Sequence, residues 1–61
     1  MKRRDFVRHL ITHGCVLVRE GRSHTIFENP VNEHRSPVPR HRELPDPLVR
    51  AICKQLEVPE P

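Results

Sequence analysis

The 61-residue chain has no tryptophan and no tyrosine, two phenylalanines, two glycines and two cysteines. Each shortage removes a class of function. Readers of single-stranded nucleic acid use exposed aromatic rings as a stacking platform, and this chain has none to offer beyond two phenylalanines expected in the core. Cys15 and Cys53 lack the C-x-x-C spacing of a zinc site. Each falls inside an apolar pattern, so both are expected as small core residues. No apolar run approaches the roughly 18 residues of a membrane span. The N-terminus passes from basic residues straight into an amphipathic pattern, without the apolar segment of a signal peptide, so a cytoplasmic protein is expected. There is no G-x-S-x-G elbow and no phosphate-binding glycine loop. The carboxylates Glu20, Glu28 and Glu33 are scattered and suggest no metal cluster, so neither metal nor cofactor is expected.

What remains is a short basic chain rich in proline. Its length allows one domain, residues 1–61, with a marginal core, since a domain this small buries only about 60% of its unfolded surface. A partner covering that surface adds stability. The formal charge is +3 but unevenly placed. Residues 1–42 carry nine Lys or Arg and four acids, whereas residues 43–61 carry two and four. A basic N-terminal two-thirds suits a phosphate-bearing partner, and equally describes the solvated surface of any small basic protein.

The patterning gives five elements. Phe6, Val7, Leu10 and Ile11 form one apolar stripe of a helix over 3–13, with Arg4 and Arg8 on the opposite face and Gly14 as the stop. Cys15 to Glu20 reads as a strand, Gly21-Arg22-Ser23 as a short hairpin loop, and His24 to Glu28 as a second strand. Alternation puts His24, Ile26 and Glu28 on one face and Thr25 and Phe27 on the other. Asn29 to Asn32 is turn chemistry. A third strand over about residues 35–40 holds Pro37 and Pro39 and therefore belongs at a sheet edge, with Val38 facing the other way. Asp46 is read as the N-cap of a second helix with Pro47 at its first position. Its apolar stripe is Leu48, Val49, Ile52, Cys53 and Leu56. The simplest way to bury both stripes is an α+β fold, with two helices on one face of a three-stranded antiparallel sheet. That order, helix, three strands, helix, resembles a double-stranded-RNA-binding domain in miniature, which speaks to fold more than to function.

His24 is the leading candidate for chemistry. Imidazole titrates near neutral pH and can take or give a proton. RNA supplies its own nucleophile, the 2′-hydroxyl, so one base and a few cations make a minimal apparatus for strand cleavage. The competing reading is a surface histidine at a hairpin corner. Antiparallel pairing of the second and third strands brings the Arg40-His41-Arg42 segment toward the same sheet end. There Arg40 can hold phosphate and His41 can assist His24, or the segment can be an ordinary solvated loop. Lys2, Arg3 and Arg4 with Arg8 form a basic helix face able to track a phosphate backbone. His9 and His13 sit at i, i+4, a metal-compatible spacing, but no cysteine or acid pair accompanies them, and boundary packing is the better reading.

Taken together, Met1 to Phe6, the Gly14-Cys15 step, Gly21-Arg22-Ser23-His24, Val38-Pro39-Arg40-His41 and the closing amphipathic helix resemble HicA, the small toxin of HicA–HicB toxin–antitoxin pairs in the YcfA-like family. The resemblance runs from about residue 2 to Leu56. It implies a double-stranded-RNA-binding-like fold and ribosome-independent cleavage of mRNA that arrests translation and growth; that the cleavage needs no metal is the expectation from the residues above. It implies a catalytic histidine in the glycine-x-x-histidine position, here Gly21 and His24. It also implies a HicB antitoxin that covers the active site. On this reading Arg22, Ser23, Arg40, Lys2, Arg3 and Arg4 contact RNA phosphate, and His41 is a possible assistant. The sequence departs from the family in the proline-rich lead-in Leu44 to Pro47 and in Glu57-Val58, where a glycine usually closes the second helix. Two other readings stay open: a non-catalytic RNA-binding module of the same fold, and a protein-interaction module such as a small antitoxin or regulator.

Overall fold

Helical periodicity at both ends and strand-like alternation between them call for two helices bracketing a sheet. A computed structural model describes residues 1–61 and has this order: α1 (Arg3–Thr12), β1 (Val16–Glu20), β2 (His24–Asn29), β3 (His34–Pro39) and α2 (Asp46–Leu56). The strands form one antiparallel sheet in the order β1-β2-β3. The architecture is the small α+β fold expected, consistent with a double-stranded-RNA-binding-like domain.

The core consists of ten apolar residues on one side of the sheet. Phe6 and Leu10 of α1 and Val49, Ile52, Cys53 and Leu56 of α2 close over Phe27 and Val38, with Cys15 and Leu44 at the margins. Alternation along β2 sends Thr25, Phe27 and Asn29 into this layer and leaves His24, Ile26 and Glu28 on the helix-free face. A core of this size supplies only about 3–5 kcal/mol of net stability. Ile11, expected on the buried stripe, is instead 58% exposed. Two helices do not span three strands, so Ile11 and Leu17 look onto an open groove beside β1. Every residue of β1 is exposed, and Val18 forms a bulge between the pairs Leu17–Phe27 and Arg19–Ile26.

Both helices end alike. Gly14 takes a left-handed φ of 87°, and the Cys15 amide closes on the Leu10 carbonyl at 2.9 Å. At the end of α2 the left-handed residue is Glu57, at φ 56° and ψ 47°, and the Val58 amide closes on Cys53 at 3.0 Å. The start of α2 differs from expectation. Pro45 is the N-cap residue, with its carbonyl accepting the Val49 amide at 3.1 Å and no side chain capping the end. Asp46 already belongs to the first turn, where its charge favours the helix dipole without a capping bond. Pro45 fixes the extended approach that Asp46 was expected to provide.

The connector after β3 is held against the start of α1. The Arg3 amide donates to the Arg42 carbonyl at 2.9 Å and the Leu44 amide to the Met1 carbonyl at 2.8 Å. This brings residues 1–4 and 40–43 to the same end of the sheet as His24.

Candidate active site

A three-residue loop leaves little freedom to the strand ends it joins. In the β1–β2 hairpin the Gly21 amide donates to the His24 carbonyl at 2.8 Å. A Cβ on residue 21 would lie 3.0 Å from that oxygen, so only glycine fits without displacement. His24 is thereby set at the first position of β2, exposed on the helix-free face and opposite Pro39 of β3.

The other histidines separate it further. His9 donates to the Pro59 carbonyl at 2.6 Å, His13 to the His9 carbonyl at 2.9 Å, and His34 to the Gln55 carbonyl at 3.1 Å. His9 therefore ties α1 to the C-terminal segment, as boundary packing predicts. His24 and His41 alone keep both ring nitrogens free of protein partners. His41 follows two residues after Pro39, beyond the end of β3, exposed and not hydrogen-bonded to His24.

The cations fall into two kinds. Arg22 and Ser23 stand exposed on the loop beside His24. Lys2, Arg3 and Arg4 meet Arg42 and Glu43 around a surface hollow of about 410 Å³ that no hydrophobic residue lines. Within this set Arg3 is committed elsewhere. Its Nε donates to the Pro39 carbonyl at 2.9 Å and its Nη2 to the Thr25 hydroxyl at 3.0 Å. Arg40 is engaged more fully still, with the Glu20 carboxylate at 3.2 Å, the Arg22 carbonyl at 2.9 Å and the Gly21 carbonyl. Lys2, Arg22 and Arg42 have no acidic partner, and Arg4 reaches only Asp5 at 3.9 Å.

Beneath the loop, on the helix side of the sheet, lies the polar centre of this end. Thr25 is 4% exposed, and its hydroxyl donates to Glu20 Oε1 at 2.7 Å while accepting from Arg3. Donation from Thr25, then from Arg40, holds the Glu20 carboxyl below the ordinary carboxylate range. No three His, Cys, Asp or Glu side chains converge on a common point. No helix is long and apolar enough to cross a membrane.

Sequence reasoning missed Glu20 and Thr25, and treated Arg42 only as part of a basic segment. The available signal was the alternation of β2, which turns Thr25 into the core beside Phe27. A lone hydroxyl there needs a polar partner.

In fold, the chain stands among small α+β domains built like double-stranded-RNA-binding modules. A family model described as the HicA toxin of bacterial toxin–antitoxin systems matches residues 3–58. The chain belongs to the HicA toxin family, the toxin half of such pairs, and that membership brings with it an antitoxin partner. No curated protein and no solved structure matches it.

Proposed function

We propose that the chain is a metal-independent RNA endonuclease that cleaves mRNA, with His24 as its proton-transfer group and a HicB antitoxin as its inhibitor. The observation that carries this reading is the isolation of His24. It is a free imidazole on a rigid strand end, beside a glycine-locked loop and at the basic end of a toxin-family fold. As general base His24 takes the proton of a 2′-hydroxyl, whose oxygen attacks the adjacent phosphorus and expels the 5′-oxygen. As general acid it protonates that leaving oxygen instead. Arg22 and Ser23 lie where they can hold the scissile phosphate. Lys2, Arg4 and the hollow they line suit flanking phosphates, with Arg3 and Arg40 contributing field from positions already bound to protein groups. His41 is the available second imidazole. An antitoxin seated over the helix-free face blocks the reaction by covering His24.

The test is induced expression in bacteria of wild type and His24→Ala, with purified protein assayed on RNA in parallel. His24 is exposed, so the substitution leaves stability within about 0.5 kcal/mol. Growth arrest and cleavage disappear in the variant, and EDTA leaves wild-type cleavage intact. A His24→Ala protein that still cuts RNA rejects the mechanism.

The exposed cations Lys2, Arg22 and Arg42, none of them paired with an acid, favour one second reading, an RNA-binding module without catalysis. It predicts salt-dependent RNA binding and no cleavage product after long incubation.

A further inference from the structure

We infer that Arg40 is a positioning residue, the strap that fixes the Gly21–His24 loop, and not a ligand of the substrate phosphate. The inference rests on the nuclease reading of His24 given above.

A three-residue hairpin loop leaves its own carbonyls outside the strand ladder. Arg40 comes one residue after Pro39, the cross-strand partner of His24. From there its guanidinium reaches back over the end of β2. Nη1 donates to the Arg22 carbonyl at 2.9 Å. Nη2 meets the Gly21 carbonyl and, at 3.2 Å, Glu20 Oε1. Nε points at the Thr25 hydroxyl at 3.5 Å. Two successive loop carbonyls and the last residue of β1 are thus gathered by one planar fork, a geometry that lysine does not reproduce.

The strap is anchored. Thr25, buried in the core layer, shares Glu20 Oε1 with Arg40 and receives Arg3, whose Nε binds the Pro39 carbonyl. The end of β1, the loop, β2, β3 and α1 therefore meet at one carboxylate and one hydroxyl. The network lies on the helix side of the sheet, and His24 stands on the other face. Arg40 thereby acts on His24 through the loop backbone. Only one Nη1 N–H is left over, so a two-point grip on a phosphate would require release of Glu20 or a loop carbonyl. The free cations Arg22, Lys2 and Arg42 need release nothing.

Charge and geometry separate the two roles. Arg40→Lys keeps the charge and loses the fork. Thr25→Val keeps every charge and removes the shared hydroxyl. Both are made in the full chain, with a single-stranded oligoribonucleotide as probe, and urea unfolding reports how much of each variant is folded. The strap predicts a kcat at least tenfold lower in both variants per folded molecule, with KM within about twofold. RNA affinity and its salt slope stay at the wild-type values. Amide exchange at Gly21 and His24 speeds up at least tenfold while Phe27 and Val38 stay protected. Glu20→Gln retains the shared oxygen and most of kcat, whereas Glu20→Ala does not. The inference is overturned if Arg40→Lys is near wild type while Arg40→Gln raises KM, lowers the salt slope by about 0.7 and leaves loop exchange unchanged, which is the signature of one lost phosphate contact. If wild type cuts no RNA, the nuclease reading falls. Loop exchange in Arg40→Lys and Thr25→Val then decides the strap without it.

Discussion

The Gly21 amide and the His24 carbonyl lie 2.8 Å apart, and the same carbonyl stands 3.0 Å from where a residue-21 Cβ would be. The hairpin corner is therefore closed by the lack of a side chain. Gly14, the other glycine, has nothing within 4 Å of its missing Cβ but a left-handed φ of 87°. Alanine at either site should cost about 1 kcal/mol, by overcrowding at residue 21 and by backbone strain at residue 14. The two variants should diverge in activity. Gly21→Ala moves the His24 backbone and should lower cleavage per folded molecule, and Gly14→Ala should not. Urea unfolding paired with a cleavage assay separates the two effects.

Much of this arrangement is legible in the sequence because it rests on periodicity. Phe6, Leu10, Val49, Ile52 and Leu56 recur at helical spacing and are all buried. Pro37 and Pro39 mark the third strand as an edge, and Val38 between them is fully buried. The exposure of His24 follows from the alternation that buries Thr25 and Phe27. What periodicity does not carry is coverage. Ile11 satisfies the stripe of α1 yet is exposed, because no helix lies over β1. Nor does it carry long-range polar pairing. Arg40 reads as one cation of a basic segment, and only the β2–β3 register shows that it meets Glu20, twenty residues away in sequence.

The acid limb of the stability profile should report the Glu20 site. Its carboxyl is held below the ordinary range by Thr25 first and Arg40 second. A depressed acid binds fewer protons folded than unfolded, so its contribution is complete above the ordinary glutamate range and is lost as pH falls through the lowered value. Glu20→Gln should flatten that limb by lowering stability in the neutral region, while matching wild type at the acid end where Glu20 is already protonated. The alkaline limb has the opposite origin. Burial pushes the thiols of Cys15 and Cys53 above the ordinary cysteine range. Their contribution is complete below the unfolded-state value, near pH 8.5, and fades as pH rises beyond it. Cys15→Ala should flatten this second limb. Urea midpoints measured across the pH range check both.

Glu57 occupies a left-handed position where glycine carries no Cβ penalty. Its carboxylate also lies 3.0 Å from His34 Nδ1, with the two side chains 59% and 48% exposed. A pair that exposed is worth roughly 0–1 kcal/mol, whereas relief of the backbone is worth about 1–2 kcal/mol, less the added freedom of glycine in the unfolded chain. Glu57→Gly should therefore be neutral to stabilising, by up to about 1 kcal/mol. Glu57→Ala keeps the strain and loses the pair, so it should be destabilised. Comparing the two by thermal or urea unfolding isolates the backbone contribution from the ion pair.

The same helix end is tied to the β2–β3 turn through one carbonyl. Leu56 O accepts from Asn29 Nδ2 at 2.8 Å and from Asn32 Nδ2 at 3.1 Å. Asn29 is 6% exposed, and its Oδ1 also receives the Val31 amide at 3.1 Å, so one side chain orders the turn and caps α2. Removing it strips both partners from a buried site, and Asn29→Ala should cost about 1–3 kcal/mol. Asn32 is less buried, but its Oδ1 also receives the His34 amide at 2.9 Å, and Asn32→Ala should cost about 1 kcal/mol. The double variant should cost more than the sum, because Leu56 O keeps one donor in each single variant and neither in the double. In a domain whose core supplies about 3–5 kcal/mol, that coupling is enough to leave the double variant largely unfolded at 25 °C, which a far-ultraviolet circular dichroism spectrum reads directly.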